Sequence, residues 1–154
     1  MRGLGPMSPV DSILLQRESG LEGPVLVALY RVLGWTNYSE DPEGLERAFA
    51  NSSHVVAAWS GDLLVGLARC VSDDVSIAYL QDILVLPDYQ GRGIGKALLT
   101  DCLERYSHVR QKVLLTDDRP EQIAFYKKLG FHNTRDLECT PLNVFVIIEG
   151  ASLS

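Results

Sequence analysis

The feature that constrains this chain most is a change of periodicity across a glycine-rich turn. Residues 75–85 form a strand-like apolar run, and Pro87 ends it, because proline has no N–H to give to a ladder. Gly91, Gly93 and Gly95 follow at every second position. Leu99, Cys102, Leu103 and Tyr106 then recur at helical spacing, which predicts a helix from about residue 93 to 109. The first amides of a helix have no internal acceptors and carry partial positive charge. Glycines before them let the backbone turn tightly and approach a ligand closely. With Arg92 and Lys96 beside them, residues 90–96 read as an anion cradle in a chain whose net charge is -6.

Two familiar anion sites do not fit. A dinucleotide-binding turn needs GxGxxG after an early strand, with an acidic residue about 20 positions on. Here the spacing is GxGxG, after the fourth predicted strand. A phosphate loop needs a Ser or Thr after its Gly-Lys pair, to hold magnesium. Gly95-Lys96 is followed by Ala97, so a nucleoside triphosphate is disfavoured.

The rest of the sequence places this segment in one α/β domain. With 154 residues and 46% hydrophobic composition, the chain is long enough for a single core. Residues 1–9 have no periodicity and are expected to be a mobile arm, leaving residues 10–154 as the domain. Strands are expected over 13–16, 54–60, 63–71, 75–85, 113–116, 131–139 and 143–149. Four helices are expected: one from Pro24 to Gly34, one from Pro42, one over 93–109 and one over 123–129. The strand, helix, strand order around residue 100 favours a parallel pairing in an otherwise antiparallel sheet. No apolar run reaches membrane-spanning length, and the pI near 5.0 argues against bulk nucleic-acid binding. Cys70, Cys102 and Cys139 have neither metal-ligand spacing nor a disulfide framework, so a reducing cytoplasm and no metal are expected. His54, His108 and His132 are scattered and have no apparent nucleophile to serve.

The cradle resembles the acetyl-CoA signature of the GCN5-related N-acetyltransferase (GNAT) superfamily. That signature is Arg or Gln, two residues, Gly, one residue, then Gly or Ala. Gln90-Gly91-Arg92-Gly93-Ile94-Gly95 matches it, after a strand ending Val85-Leu86-Pro87. Tyr126-Lys127-Lys128-Leu129-Gly130-Phe131 is similar to the later Tyr-x-x-x-Gly-Phe motif of the same superfamily.

The resemblance implies a mixed, mostly antiparallel sheet that splays between its fourth and fifth strands. It implies that pantetheine lies in that slot beside Ile83, Leu84 and Val85. The pyrophosphate would sit on the amides of Gly91, Arg92, Gly93, Ile94, Gly95 and Lys96, behind Gln90. Tyr126 would contact the cofactor and protonate the leaving thiolate. Asp82 is the candidate base and is equally readable as a hydrogen-bonded carboxylate that orders a bulge. Arg119 stands where many relatives have an asparagine that holds pantetheine, which leaves that contact open. The implied function is acetyl transfer from acetyl-CoA directly to a primary amine, on a small metabolite or a peptide. The alternative is a non-catalytic acyl-CoA-binding or sensing module. No nucleic-acid or membrane partner is expected, and strand edges near the C-terminus leave room for a homodimer.

Overall fold

The computed structural model describes residues 12–153, so the arm expected over residues 1–9 lies outside the described residues. The chain divides into two compact units, Met1–Leu115 and Thr116–Ser154.

In the first unit the apolar runs become five strands: β1 (Ile13–Arg17), β2 (His54–Ser60), β3 (Leu63–Ser72), β4 (Ile77–Val85) and β5 (Gln111–Leu114). They form one sheet in sequence order. The first three pairings are antiparallel and β5 lies parallel to β4, as the crossover requires. Gly61, at φ 58, closes the hairpin between β2 and β3.

Helices α1 (Gly23–Val32), α2 (Thr36–Ser39) and α3 (Pro42–Ala50) follow β1. Both longer helices carry a proline in their first turn, Pro24 and Pro42, whose missing N–H needs no partner there, and Asp41 caps α3 by accepting from the Gly44 amide at 2.9 Å. Their apolar stripes bury Leu26, Leu29, Tyr30, Leu45 and Phe49 against Val55, Ala57, Leu67 and Leu84 of the sheet. Helix α4 (Ile94–Arg105) buries Ile94, Leu98, Leu99 and Cys102. Gly66 lets it approach: a Cβ there would lie 2.9 Å from the Leu84 carbonyl oxygen and 3.3 Å from Leu98 Cδ1.

In the second unit, α5 (Pro120–Lys128) ends in a tight C-cap. Gly130, at φ 95, donates to the Lys127 carbonyl and Phe131 donates back to the Tyr126 carbonyl, both at 3.1 Å. The rings of Tyr126 and Phe131 meet edge-on, with centroids 6.0 Å apart. The Tyr-x-x-x-Gly-Phe motif is thus a helix stop in which glycine supplies the left-handed residue and Phe131 covers the last turn.

Three expectations need correction. The fifth strand is Gln111–Leu114, two residues earlier than 113–116. A fifth, short helix, α2, lies between the helices expected up to Gly34 and from Pro42, one more than the four expected in all. The strands expected over 131–139 and 143–149 do not form; among the described residues no strand follows β5. In the first of these, the Asn133 side chain accepts from the Arg135 amide and caps a 3-10 turn, Thr134–Asp136, a local bond that competes with a ladder. The second has apolar alternation but no paired neighbour.

Candidate active site

The parallel pairing of β5 with β4 covers only part of β4. It runs from Ile77 opposite Gln111 to Leu80 opposite Leu114 and stops there. β4 continues to Val85, held by β3 alone through the pairs Asp82–Arg69, Ile83–Ala68, Leu84–Leu67 and Val85–Gly66. Residues 81–85 therefore present one edge with no strand beside it among the described residues. Leu84 is buried in the core, while Ile83 and Val85 are half-buried. The Val85 carbonyl accepts from the Gln90 side-chain amide at 3.0 Å, which ties the strand end to the turn.

The turn delivers the donors that its sequence suggests. Gly91 and Gly93 sit at φ 74 and 82, conformations that side-chain-bearing residues resist. No heavy atom lies within 4 Å of a Cβ placed on either, so conformation and not space selects glycine at both. The Gln90 amide bonds to the Pro87 carbonyl and the Ala97 amide to the Gly93 carbonyl. Between them, the amides of Gly91, Arg92, Gly93, Ile94, Gly95 and Lys96 have no acceptor among the described residues. No side chain caps α4 and no acidic residue stands in its first turn. Arg92 lies over the Tyr89 ring at 5.2 Å, and Lys96 is exposed. Such a row of open donors suits a phosphate anion.

Asp82 has a different setting. It is 2% exposed, and its Oδ2 accepts from Arg69 Nε at 2.6 Å and from the Tyr30 hydroxyl at 2.7 Å. Arg69 also donates to Ser52 at 3.3 Å and lies 5.1 Å from the centre of the Phe49 ring. Burial alone would lower the Arg69 pKa, but the charge and hydrogen bond of Asp82 leave it raised. Burial, followed by the Asp82 charge and hydrogen bond, raises the Tyr30 phenol well above its ordinary value. The register shift between Arg69 and Cys70 skips Gln81, so the carboxylate is anchored one residue beyond a β-bulge. A carboxylate held this way has little freedom to collect a proton. Its surroundings favour the structural alternative of the two open for Asp82.

Tyr126 belongs to the second unit. It is half-buried, touches Phe125 and Phe131 ring to ring, and burial raises its pKa. Arg119 precedes α5 and is exposed, near Asp117 at 3.6 Å and Glu121 at 3.9 Å. A cavity of about 120 Å³ in the first unit, lined by Glu18, Leu21, Glu46, Phe49 and Val55 among others, shares no residue with the cradle.

The acetyltransferase (GNAT) domain profile matches residues 26–141. The chain belongs to the GNAT family. Its fold is shared with a GNAT-family acetyltransferase of Streptococcus pneumoniae, at TM-score 0.76 and 31% identity over 89% of this chain and 98% of that one. It is 33% identical over 113 residues to an uncharacterized ycf52-like N-acetyltransferase of Prochlorococcus marinus, covering 69% of this chain and 62% of that protein. Over 70 residues it is 37% identical to the soybean (Glycine max) histone acetyltransferase TAP1, 44% of this chain and 29% of that protein. The chain spans about half the length of the curated relatives it matches first.

Three residues that position this GNAT site are not singled out by sequence pattern: Arg69, Tyr30 and Gly66. The available signals are faint. Arg69 is a lone cation inside an apolar run, and Gly66 is a glycine inside a strand, a sign of close approach. Two of the three histidines are held by local carboxylates, and His132 is exposed. His54 meets Asp101 at 2.7 Å and His108 meets Asp74 at 3.0 Å. Among the described residues no cluster of His, Cys, Asp and Glu could hold a metal, and no helix is long and apolar enough to cross a membrane.

Proposed function

We propose that this chain is an acyl-CoA-dependent N-acetyltransferase that passes an acetyl group from acetyl-CoA directly to a primary amine, on a small metabolite or a peptide. The observation that carries this reading is the edge of β4 with no strand beside it among the described residues, followed in the chain by the open amides of residues 91–96. In this reading the diphosphate binds those amides with help from Arg92 and Lys96. Pantetheine runs along Ile83, Leu84 and Val85 as an added strand. A backbone N–H near Ile83 polarises the acetyl carbonyl, and such a fixed donor acts where charge develops.

The amine nitrogen attacks the carbonyl carbon, the new C–N bond forms and the C–S bond breaks. Tyr126 donates its phenolic proton to the leaving thiolate, a role supported by its place in the second motif, and the proton that the attacking nitrogen sheds as the amide forms returns to the phenolate through water. A primary ammonium has no lone pair, so attack requires its neutral form. Asp82, the one carboxylate on β4, is a positioning residue here, so that proton leaves to water. The net charge of -6 and the histone acetyltransferase activity for which the soybean relative is named support a cationic amine acceptor, with peptide lysine included. Cys70, Cys102 and Cys139 are unpaired, which suits a cytoplasmic setting.

The test is thiol release from acetyl-CoA by the purified chain across a panel of small amines and lysine peptides. Release that depends on both acetyl-CoA and an amine supports the reading. Binding of CoA with no release for any amine overturns it in favour of an acyl-CoA-binding module.

A further inference from the structure

Four aromatic side chains gather on the face of the sheet that carries Asp82. Tyr30 lies 5.9 Å from Trp35 and 5.4 Å from Tyr38, centre to centre, and those two lie 6.2 Å apart. The fourth, Tyr79, comes from β4 by way of the bulge. Arg69 and Asp82 are cross-strand partners and share a face. Past Gln81, Leu80 pairs with Cys70 and Tyr79 with Val71. Cys70 is one residue from Arg69 and faces the other way, whereas Val71 is two residues from it and faces the same way. Tyr79 thus shares the face of Asp82 although an odd number of positions separates them. Burial raises the Tyr79 pKa, and the nearby Asp82 charge and Tyr38 add to it. Tyr30 is buried behind the others, Tyr38 and Tyr79 are half-buried, and Trp35 is 40% exposed.

We propose that Trp35, Tyr38 and Tyr79 are the residues that select the acceptor, and that they hold an aliphatic ammonium by their ring faces and not by a carboxylate. This inference rests on the acetyl-transfer reading above. The rings reach the site through Tyr30, whose hydroxyl donates to Asp82 at 2.7 Å, one residue from Ile83. Trp35 and Tyr38 are tilted by 38° and Tyr30 and Tyr38 by 45°, so the rings make a corner that offers faces to a cation and no parallel slot for a flat ring. Asp82 is already engaged by Arg69 and Tyr30 and has no charge to spare for a ligand. The charge around the corner has the right sign. No basic residue occurs between Val32 and Glu46, while Glu40, Asp41 and Glu43 are exposed just after Tyr38 in the chain. A carboxylate partner would keep the ammonium in its charged, unreactive form. Ring faces attract it more weakly, so its proton can pass to water before attack.

The experiment titrates butylammonium, and butan-1-ol as its neutral counterpart, into the full chain without acetyl-CoA at constant ionic strength, followed by tryptophan emission. Trp59 is the other tryptophan, so Trp35→Phe tests the origin of the signal and should abolish it. A saturable response is expected, at least about tenfold tighter for butylammonium than for butan-1-ol. Tyr79→Leu should weaken it about fivefold or more at an unchanged melting temperature. Should Tyr79→Leu melt early, Trp35→Leu, at an exposed position, is titrated by calorimetry in its place. In thiol release with butylamine, the same variant should raise KM for the amine about tenfold and leave KM for acetyl-CoA unchanged. Equal affinity for the two probes, a response that survives Trp35→Phe, or parent-like butylammonium affinity in the leucine variant overturns the proposal. Binding at the rings without transfer to any amine overturns instead the reading on which it rests.

Discussion

Arg69 on β3 and Asp82 on β4 face each other next to the Gln81 bulge, with Nε and Oδ2 2.6 Å apart and side chains 8% and 1% exposed. Two buried charges hold here because each satisfies the other and Tyr30 adds a third group from α1. Removing one partner strands the other. Arg69→Ala is expected to lower unfolding free energy by about 3–5 kcal/mol in urea denaturation, and Asp82→Asn by less, since the amide keeps its shape. The positioning role has its own signature. Asp82→Asn should keep the pH profile of kcat, whereas loss of the limb that rises with pH would make Asp82 the base.

Gly66 is expected to tolerate nothing larger. An alanine Cβ would press on the Leu84 carbonyl, which is backbone and cannot swing away. Gly66→Ala should destabilise by about 1–3 kcal/mol and lower the melting temperature. Because the same glycine seats α4, CoA affinity should fall with it. Unchanged melting would show that α4 adjusts its seat freely.

Tyr126→Phe separates acid catalysis from packing. The ring contacts with Phe125 and Phe131 survive the substitution, so stability should change little. If the phenol protonates the thiolate, kcat should fall about 100-fold while CoA affinity holds. Parent-like turnover by Tyr126→Phe would remove the residue from the mechanism.

The strand, glycine turn and α4 are legible in the amino-acid sequence because their signals are local: apolar runs, a proline stop and glycines that the fold holds at φ 74 and 82. The C-cap of α5 is local too, spanning Tyr126 to Phe131. The Tyr30–Asp82–Arg69 group is not legible, because Arg69 and Tyr30 lie 13 and 52 residues from Asp82 and meet it only through the tertiary fold. The sixth and seventh expected strands fail for a related reason. Residues 143–149 alternate in their side chains, but a strand also needs a neighbour, and sequence pattern does not supply one. The end of β4–β5 pairing at Leu80 is likewise a matter of register that composition does not encode.

Alkaline pH should undo the core from the tyrosines. Burial raises the pKa of Tyr30 first, with Asp82 adding to it, and burial also raises Tyr79, Tyr106 and Tyr126. A folded pKa above the unfolded value of about 10 means the folded chain holds its phenolic protons more tightly. That stability is complete below pH of about 10 and is lost as pH climbs through the folded values. Melting temperature followed by circular dichroism should therefore drop above that point. A flat profile there would mean these phenols ionise without cost.

The measurement that bears most directly on the site is calorimetric titration with CoA and, separately, with pantetheine, which has the same tail but no diphosphate. Saturable CoA binding is expected, with pantetheine weaker by at least about tenfold, some 1.4 kcal/mol, because the amides of residues 91–96 lose their anion. Equal affinity for the two, or no binding of CoA, would contradict the assignment of those amides as the diphosphate cradle.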